Sequence, residues 1–159
     1  MRGLLSGSLL ALVALALAIP ELARAAPEAP PPDVTMHTDV TVHVSGLRSH
    51  KGQVLACLTT NPRAFPDCGK DAGAHRLAVP AAQAGTIAFG PVPAGTYAIA
   101  LVHDENGNGR MDLAVMLPKE GFAFSRDPAI VFGPPRFASA AFAVAGAPVQ
   151  QTVRMRYMF

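Results

Sequence analysis

The sequence predicts an all-β domain, an antiparallel sandwich of about seven strands that follows an export signal. Three observations predict it. Apolar and polar residues alternate with period two from Val34 to Val44. Turn residues punctuate the chain at short intervals, at Ser45-Gly46, at Lys51-Gly52 and through Pro91 to Gly95. No segment after the first 25 residues carries convincing helical periodicity, and only 137–143 could hide a short helix.

The opening segment reads as a signal. Arg2 gives a positive start, and Leu4 to Ala18 is apolar except for Ser6, Gly7 and Ser8. Pro20 ends the stretch, and Ala23-Arg24-Ala25 supplies the small side chains that signal peptidase accepts, so cleavage is expected after Ala25. The apolar core is short for a bilayer span, which argues against a retained anchor. No cysteine lies near the cleavage point, which argues against a lipoprotein. The expected destination is the periplasm or the medium. Residues 26–33 form a proline-rich leader that favours extended, solvated chain. The domain itself is expected over 34–159.

In the first strand Val34, Met36, Val40, Val42 and Val44 share the predicted dry face. The second strand is read at Gln53–Thr60, the third at His75–Val79 with Pro80 ending it, and the fourth at Gly85–Phe89. Thr96–His103 is apolar on both faces and should lie centrally. Ala140–Val144 and Val149–Phe159 are expected to close the domain as a hairpin, with Val153, Met155, Tyr157 and Phe159 inward and Arg154 and Arg156 outward. Phe122 and Phe124, two residues apart, could make one more short strand inside the long connection 104–136.

Both cysteines, Cys57 and Cys68, lie past the signal. In an oxidising compartment an even pair reads as one disulfide, and Asn61, Pro62 and Pro66 between them can turn the chain back. Their spacing excludes a Cys-x-x-Cys redox pair.

Residues 103–112 carry the chemistry: His-Asp-Glu-Asn-Gly-Asn-Gly-Arg-Met-Asp. Asp104, Asn106, Asn108 and Asp112 place side-chain oxygens at positions one, three, five and nine of a curling loop, Gly109 at position six permits the sharp turn, and the Arg110 carbonyl can add an oxygen. This is the opening half of a calcium loop. It departs from an EF-hand because Val115 stands where the bidentate Glu belongs and a strand leads in. With ligand charge from Asp104 and Asp112 alone, affinity should suit extracellular calcium. Glu120 can return from the following chain to complete the shell. His103 could stand behind the ligands as a supporting partner or be purely structural. The competing reading is an Asn-Gly turn whose polar side chains cap their own backbone.

G-x-S-x-G, H-E-x-x-H and phosphate-cradling glycine loops are all missing from the sequence. The signal takes Arg2, Arg24 and Glu21 with it and leaves charge near balance, which argues against nucleic acid and against an anionic membrane surface. The mature segment holds no apolar stretch long enough for an integral span.

Several phrases together carry a resemblance: Val44 to Arg48 with Lys51 to Val54, Ile87 to Ala100 containing Val-Pro-Ala-Gly-Thr-Tyr, the 103–112 loop, Pro118 to Ser125, and Gly133 to Phe137. From Val42 to Phe159 the chain resembles the exported bacterial family called domain of unknown function 2141. Ala123 stands where that family leads one to expect glycine. The resemblance implies an Ig-like or prealbumin-like sandwich of the carboxypeptidase-regulatory kind, and implies no activity. The expected function is therefore an exported, non-enzymatic binding or structural module of the cell envelope, stabilised by calcium through 104–112. Its partner would be an envelope protein or a small ligand, met by the long connection and its Pro118, Phe122, Phe124, Pro134, Pro135 and Phe137; the competing reading is that these residues pack the loop over the edge of the sandwich. The alternative is a metal-dependent hydrolase centred on the same loop.

Overall fold

Period-two alternation becomes strand pairing over nearly half of the described residues. A computed structural model describes residues 36–130 and 133–159. The strands are β1 (His37–Ser45), β2 (Gln53–Thr59), β3 (His75–Pro80), β4 (Thr86–Pro93), β5 (Gly95–Asp104), β6 (Leu113–Ala114), β7 (Leu117–Pro118), β8 (Gly121–Phe124), β9 (Phe142–Val144) and β10 (Val149–Arg154). A 3-10 turn spans Ala81–Gln83, and one helical turn, α1, spans Phe137–Ala140 inside the segment where a helix could hide. The predicted signal, the leader and Val34 lie outside the described residues.

Two sheets form the sandwich. One has the order β10-β1-β4; the other has the order β3-β2-β5-β8, with β9 also on β5. Val40, Val42, Val44, Ile87, Phe89 and Val153 from the first meet Val54, Leu58, Tyr97, Ile99, Leu101 and Val144 from the second in one core. As expected, β5 is central, paired with β2 over 98–104 and with β8 over 100–103.

Three expectations are corrected. Met36 is exposed, and the inward alternation begins at Thr38 and Val40. The fourth strand does not stop at Phe89. A bulge at Phe89 and Gly90, where Gly90 takes φ 76°, skips one residue against β1 and lets the strand run to Pro93. The skip reverses the phase, so Ile87 and Phe89 face inward before it and Val92 after it. Pro91 and Pro93 are tolerated because β4 is an edge strand and no neighbour needs their missing N–H.

The closing hairpin does not form. β9 pairs with Gly95–Tyr97 of β5, whereas β10 runs parallel to β1, from Val40 opposite Val149 to Ser45 opposite Arg154. Each strand fills an open edge of a different sheet, and the link between them crosses the sandwich. Val153 and Met155 are buried as expected, but Phe159 is exposed and Tyr157 is only partly covered. Arg154 is exposed as expected, whereas Arg156 is half-buried and binds Asp127 and the Pro128 carbonyl.

A second apolar layer covers the outer face of the larger sheet. β5 presents Ala98 and Ala100 there, and their small side chains leave room for Phe65, Phe122, Phe124 and Phe137. Phe65 packs 5.7 Å from Phe124 and edge-on to Phe137 at 5.9 Å. The predicted bridge Cys57–Cys68 is present, with Cα atoms 6.4 Å apart, and it pins the segment carrying Phe65 over the sheet. Phe122 and Phe124 are therefore buried packing residues, not a ligand surface.

The long connection contains an unforeseen ribbon, β6–β7. Its turn residues Val115 and Met116 take φ 48° and 68°, left-handed values that cost a non-glycine residue about 1–2 kcal/mol. No Gly or Asn marks this turn, which is why the sequence hides it.

Replacing both cysteines by alanine should lower unfolding free energy by about 3 kcal/mol, the loop-closure value for a short loop, read as a shift in urea midpoint. The double change Val115→Asn with Met116→Gly should instead raise it by about 1–2 kcal/mol, because those residues accept the turn geometry.

Candidate metal centre

The loop that carries the chemistry leaves the end of the central strand, where side chains alternate between the two faces of the sheet. His103 points into the core and Asp104 to the other side, and both are fully buried. Asp104 survives burial as a carboxylate because four donors converge on it. Gly107 N–H (2.8 Å) and Asn108 N–H (3.1 Å) reach Oδ1; Gly109 N–H (2.8 Å) and Gln53 Nε2 (2.8 Å) reach Oδ2. Burial alone would raise its pKa, but these bonds outweigh that and hold it below the usual Asp value. Gln53 starts β2, so the same carboxylate ties the loop to the neighbouring strand.

Asn106 and Asn108 turn their Oδ1 atoms to the backbone N–H groups of Asn108 and Arg110, each at 3.0 Å. Their amide nitrogens donate to Asp112 Oδ2 at 2.7 and 2.9 Å. Those two bonds lower the Asp112 pKa. Arg110 meets Asp112 through its guanidinium at 3.5 Å. Among the described residues, no three His, Cys, Asp or Glu side chains stand in ready-made ligand geometry. The loop is organised around its own hydrogen bonds.

Glu120 breaks that self-sufficiency. It lies just before β8, 4% exposed, and its Oε2 accepts the Asp112 N–H at 3.1 Å. Its Oε1 is buried and meets no donor, and the carboxyl lies within reach of the Asp104 carboxylate, a hydrogen bond it can make only when protonated. Burial raises its pKa, and the negative charges of Asp104 and Asp112 raise it further. The backbone closes the same region, since Lys119 N–H donates to Asp112 C=O at 2.9 Å. Of the residues singled out from sequence, Asp104, Asn106, Asn108, Arg110, Asp112 and Glu120 are brought together.

His103 is not. Its Nε2 bonds the Lys51 carbonyl (2.9 Å) and its Nδ1 the Tyr157 hydroxyl (2.7 Å). A carbonyl only accepts, so Nε2 carries the proton; on the neutral ring Nδ1 then accepts from Tyr157 O–H. The phenol oxygen in turn accepts the Arg48 N–H at 3.2 Å. A Cβ on Gly121 would collide with the Tyr157 ring, so glycine is required where β8 begins.

Beside this chain lies an ion pair that sequence reading did not find. Arg48 Nε donates to Glu105 Oε2 (3.0 Å), Ser49 Oγ donates to Oε1 (2.7 Å), and the guanidinium stacks 4.4 Å over Tyr157. The Arg48 hydrogen bond takes the Glu105 pKa down to about 2. Gly52, at φ 67°, admits the close approach, since a Cβ there would meet the Asp104 carbonyl and the Glu105 backbone.

Among the described residues no helix is long and apolar enough to cross a membrane. No curated protein and no solved structure matches the chain. The family described as an uncharacterized protein conserved in bacteria (DUF2141) matches residues 42–152, which takes in the larger sheet, most of the smaller one and the whole 103–112 loop. The resemblance carried by those phrases is thereby met, and the chain belongs to the DUF2141 family.

Proposed function

We propose that this domain is an exported, non-enzymatic binding or structural module of the bacterial envelope, stabilised by a calcium ion held between the 104–112 loop and Glu120. The observation that carries the calcium reading is the unpartnered, buried Oε1 of Glu120 beside Asp104 and Asp112. A buried carboxylate facing two others needs a proton or a cation. Outside the cytoplasm calcium is the abundant hard cation, and it takes carboxylate, amide and carbonyl oxygens. Asn106, Asn108, Asp112 and Glu120 offer them, with the Arg110 carbonyl as a further oxygen; Asp104, whose two oxygens already accept four donors, would join only by releasing one of them. Turning the Asn106 and Asn108 oxygens toward an ion requires the amides to flip, exchanging their bonds to Asp112 and to the backbone for metal contacts. Export supports the choice of ion, and the Cys57–Cys68 bridge is consistent with an oxidising compartment.

Geometry gives the hydrolase alternative no support. Its one histidine, His103, is committed to Lys51 and Tyr157 on the core side of the sheet.

Calcium titration followed by thermal unfolding tests the reading. The midpoint should climb with free calcium, reaching about 2.7 kcal/mol of stabilisation at a hundredfold excess over Kd. Glu120→Gln should abolish most of that rise. A midpoint indifferent to calcium would leave the loop as a self-capped turn.

In chelator the pH dependence has a defined sign. The folded protein holds the Glu120 proton more tightly than the unfolded chain does. As pH rises from the ordinary Glu range through the raised value, the unfolded chain sheds that proton first, so stability falls across this window. Glu120→Gln should erase that decline and be more stable than wild type at neutral pH without calcium, as read by denaturant unfolding at a series of pH values.

A further inference from the structure

The β6–β7 ribbon carries four exposed aliphatic side chains: Leu113 (61%), Val115 (95%), Met116 (90%) and Leu117 (48%). Val115 and Met116 stand at the turn, and the register places Leu113 on one face of the ribbon and Leu117 on the other, so the tip is apolar on both sides. Val115 and Met116 occupy the turn in left-handed backbone, where Asn-Gly would relieve the geometry and keep the tip polar. The chain instead holds its two most exposed large apolar residues there, at a cost in both backbone energy and hydration.

The base of the ribbon is charged. Arg110 precedes β6 and Lys119 follows β7, both exposed. The Arg48 guanidinium reaches the Lys119 carbonyl at 3.4 Å. Beside these three cations stand four carboxylates, those of Asp104, Glu105, Asp112 and Glu120. With Glu120 protonated the local balance is neutral; with all four carboxylates ionised around one divalent cation it becomes one positive charge.

We propose that the β6–β7 ribbon is a membrane-docking tip that inserts Leu113, Val115, Met116 and Leu117 into an anionic phospholipid surface, with the base made cation-rich by calcium. The cation dependence rests on the calcium reading above; the apolar tip does not. The shape favours lipid over a protein partner. A narrow convex turn of flexible aliphatic chains needs no complementary pocket in a bilayer, and Arg110 and Lys119 flank it where headgroup phosphates would lie. Whole-chain charge balance argues against adsorption by net charge, but it does not bear on a local apolar insertion.

The test places an environment-sensitive fluorophore on the full chain at Met116→Cys, with the same label at Thr86→Cys on the other sheet as control. Any contribution of the N-terminal segment is common to both. Vesicles of phosphatidylcholine with phosphatidylglycerol, in calcium, should blue-shift and brighten the probe at 116 and leave the probe at 86 unchanged. Val115→Asp should weaken the response about tenfold in lipid concentration. Because Val115 is exposed and aspartate accepts left-handed backbone more readily than valine, far-UV circular dichroism should match wild type and the melting midpoint should be no lower. Chelator or pure phosphatidylcholine should also weaken binding. A probe at 116 that stays in an aqueous environment with anionic vesicles, while calcium still raises the melting midpoint, overturns docking and leaves the calcium reading standing. A shift that grows with protein concentration without lipid identifies self-association instead and overturns the proposal. Insertion that is equal in chelator, with a calcium-indifferent midpoint, removes the calcium reading and with it the cation dependence.

Discussion

The Asp104 carboxylate is the constraint on which the rest of the site depends. A buried charge is tolerable only when its oxygens are saturated, and here three backbone N–H groups and Gln53 saturate them. Those bonds curl residues 104–109 into a fixed turn at the end of the central strand. The turn sets where Asn106 and Asn108 hold Asp112. Asp112 in turn receives Glu120 on its N–H and Lys119 on its carbonyl. The ribbon between them is thus a side branch of a hydrogen-bonded frame that begins at one carboxylate.

Much of the fold was legible because one-sided burial writes a period of two. Val40, Val42 and Val44 alternate with polar residues, and the doubly apolar run of β5 marks it as central. The errors have a common cause, which is that pairing partners are not written locally. Gly90 with Pro91 looks like a stop, yet a bulge and a free edge let the strand continue. Residues 142–154 look like a hairpin because two strands flank a Gly-Ala-Pro link, but vacancies on two different sheets decide their partners. The β6–β7 turn lacks every residue that ordinarily signals one.

The site was legible in the same partial way. Asp104, Asn106, Asn108, Gly109 and Asp112 follow a spacing that carries its own geometry, and Glu120 lies near in sequence. Gln53, Arg48 and Tyr157 could not be found so. They come from distant strands and loops, and nothing about an isolated Gln or Tyr announces a tertiary hydrogen bond. The same holds for the outer layer, where Ala98 and Ala100 matter because they are small enough for Phe65 and Phe124 to lie over them.

The parallel pairing of β10 with β1 bears on how the polypeptide matures. One edge of the first strand has its partner more than a hundred residues away, so the smaller sheet stays two-stranded until 149–154 exist. A two-stranded ribbon with an open apolar face is marginal by itself. Such long-range closure is slow and comes late. A polypeptide threaded through a translocation pore from its amino end would consequently remain pliable during transit and zip shut only once nearly all of it had passed.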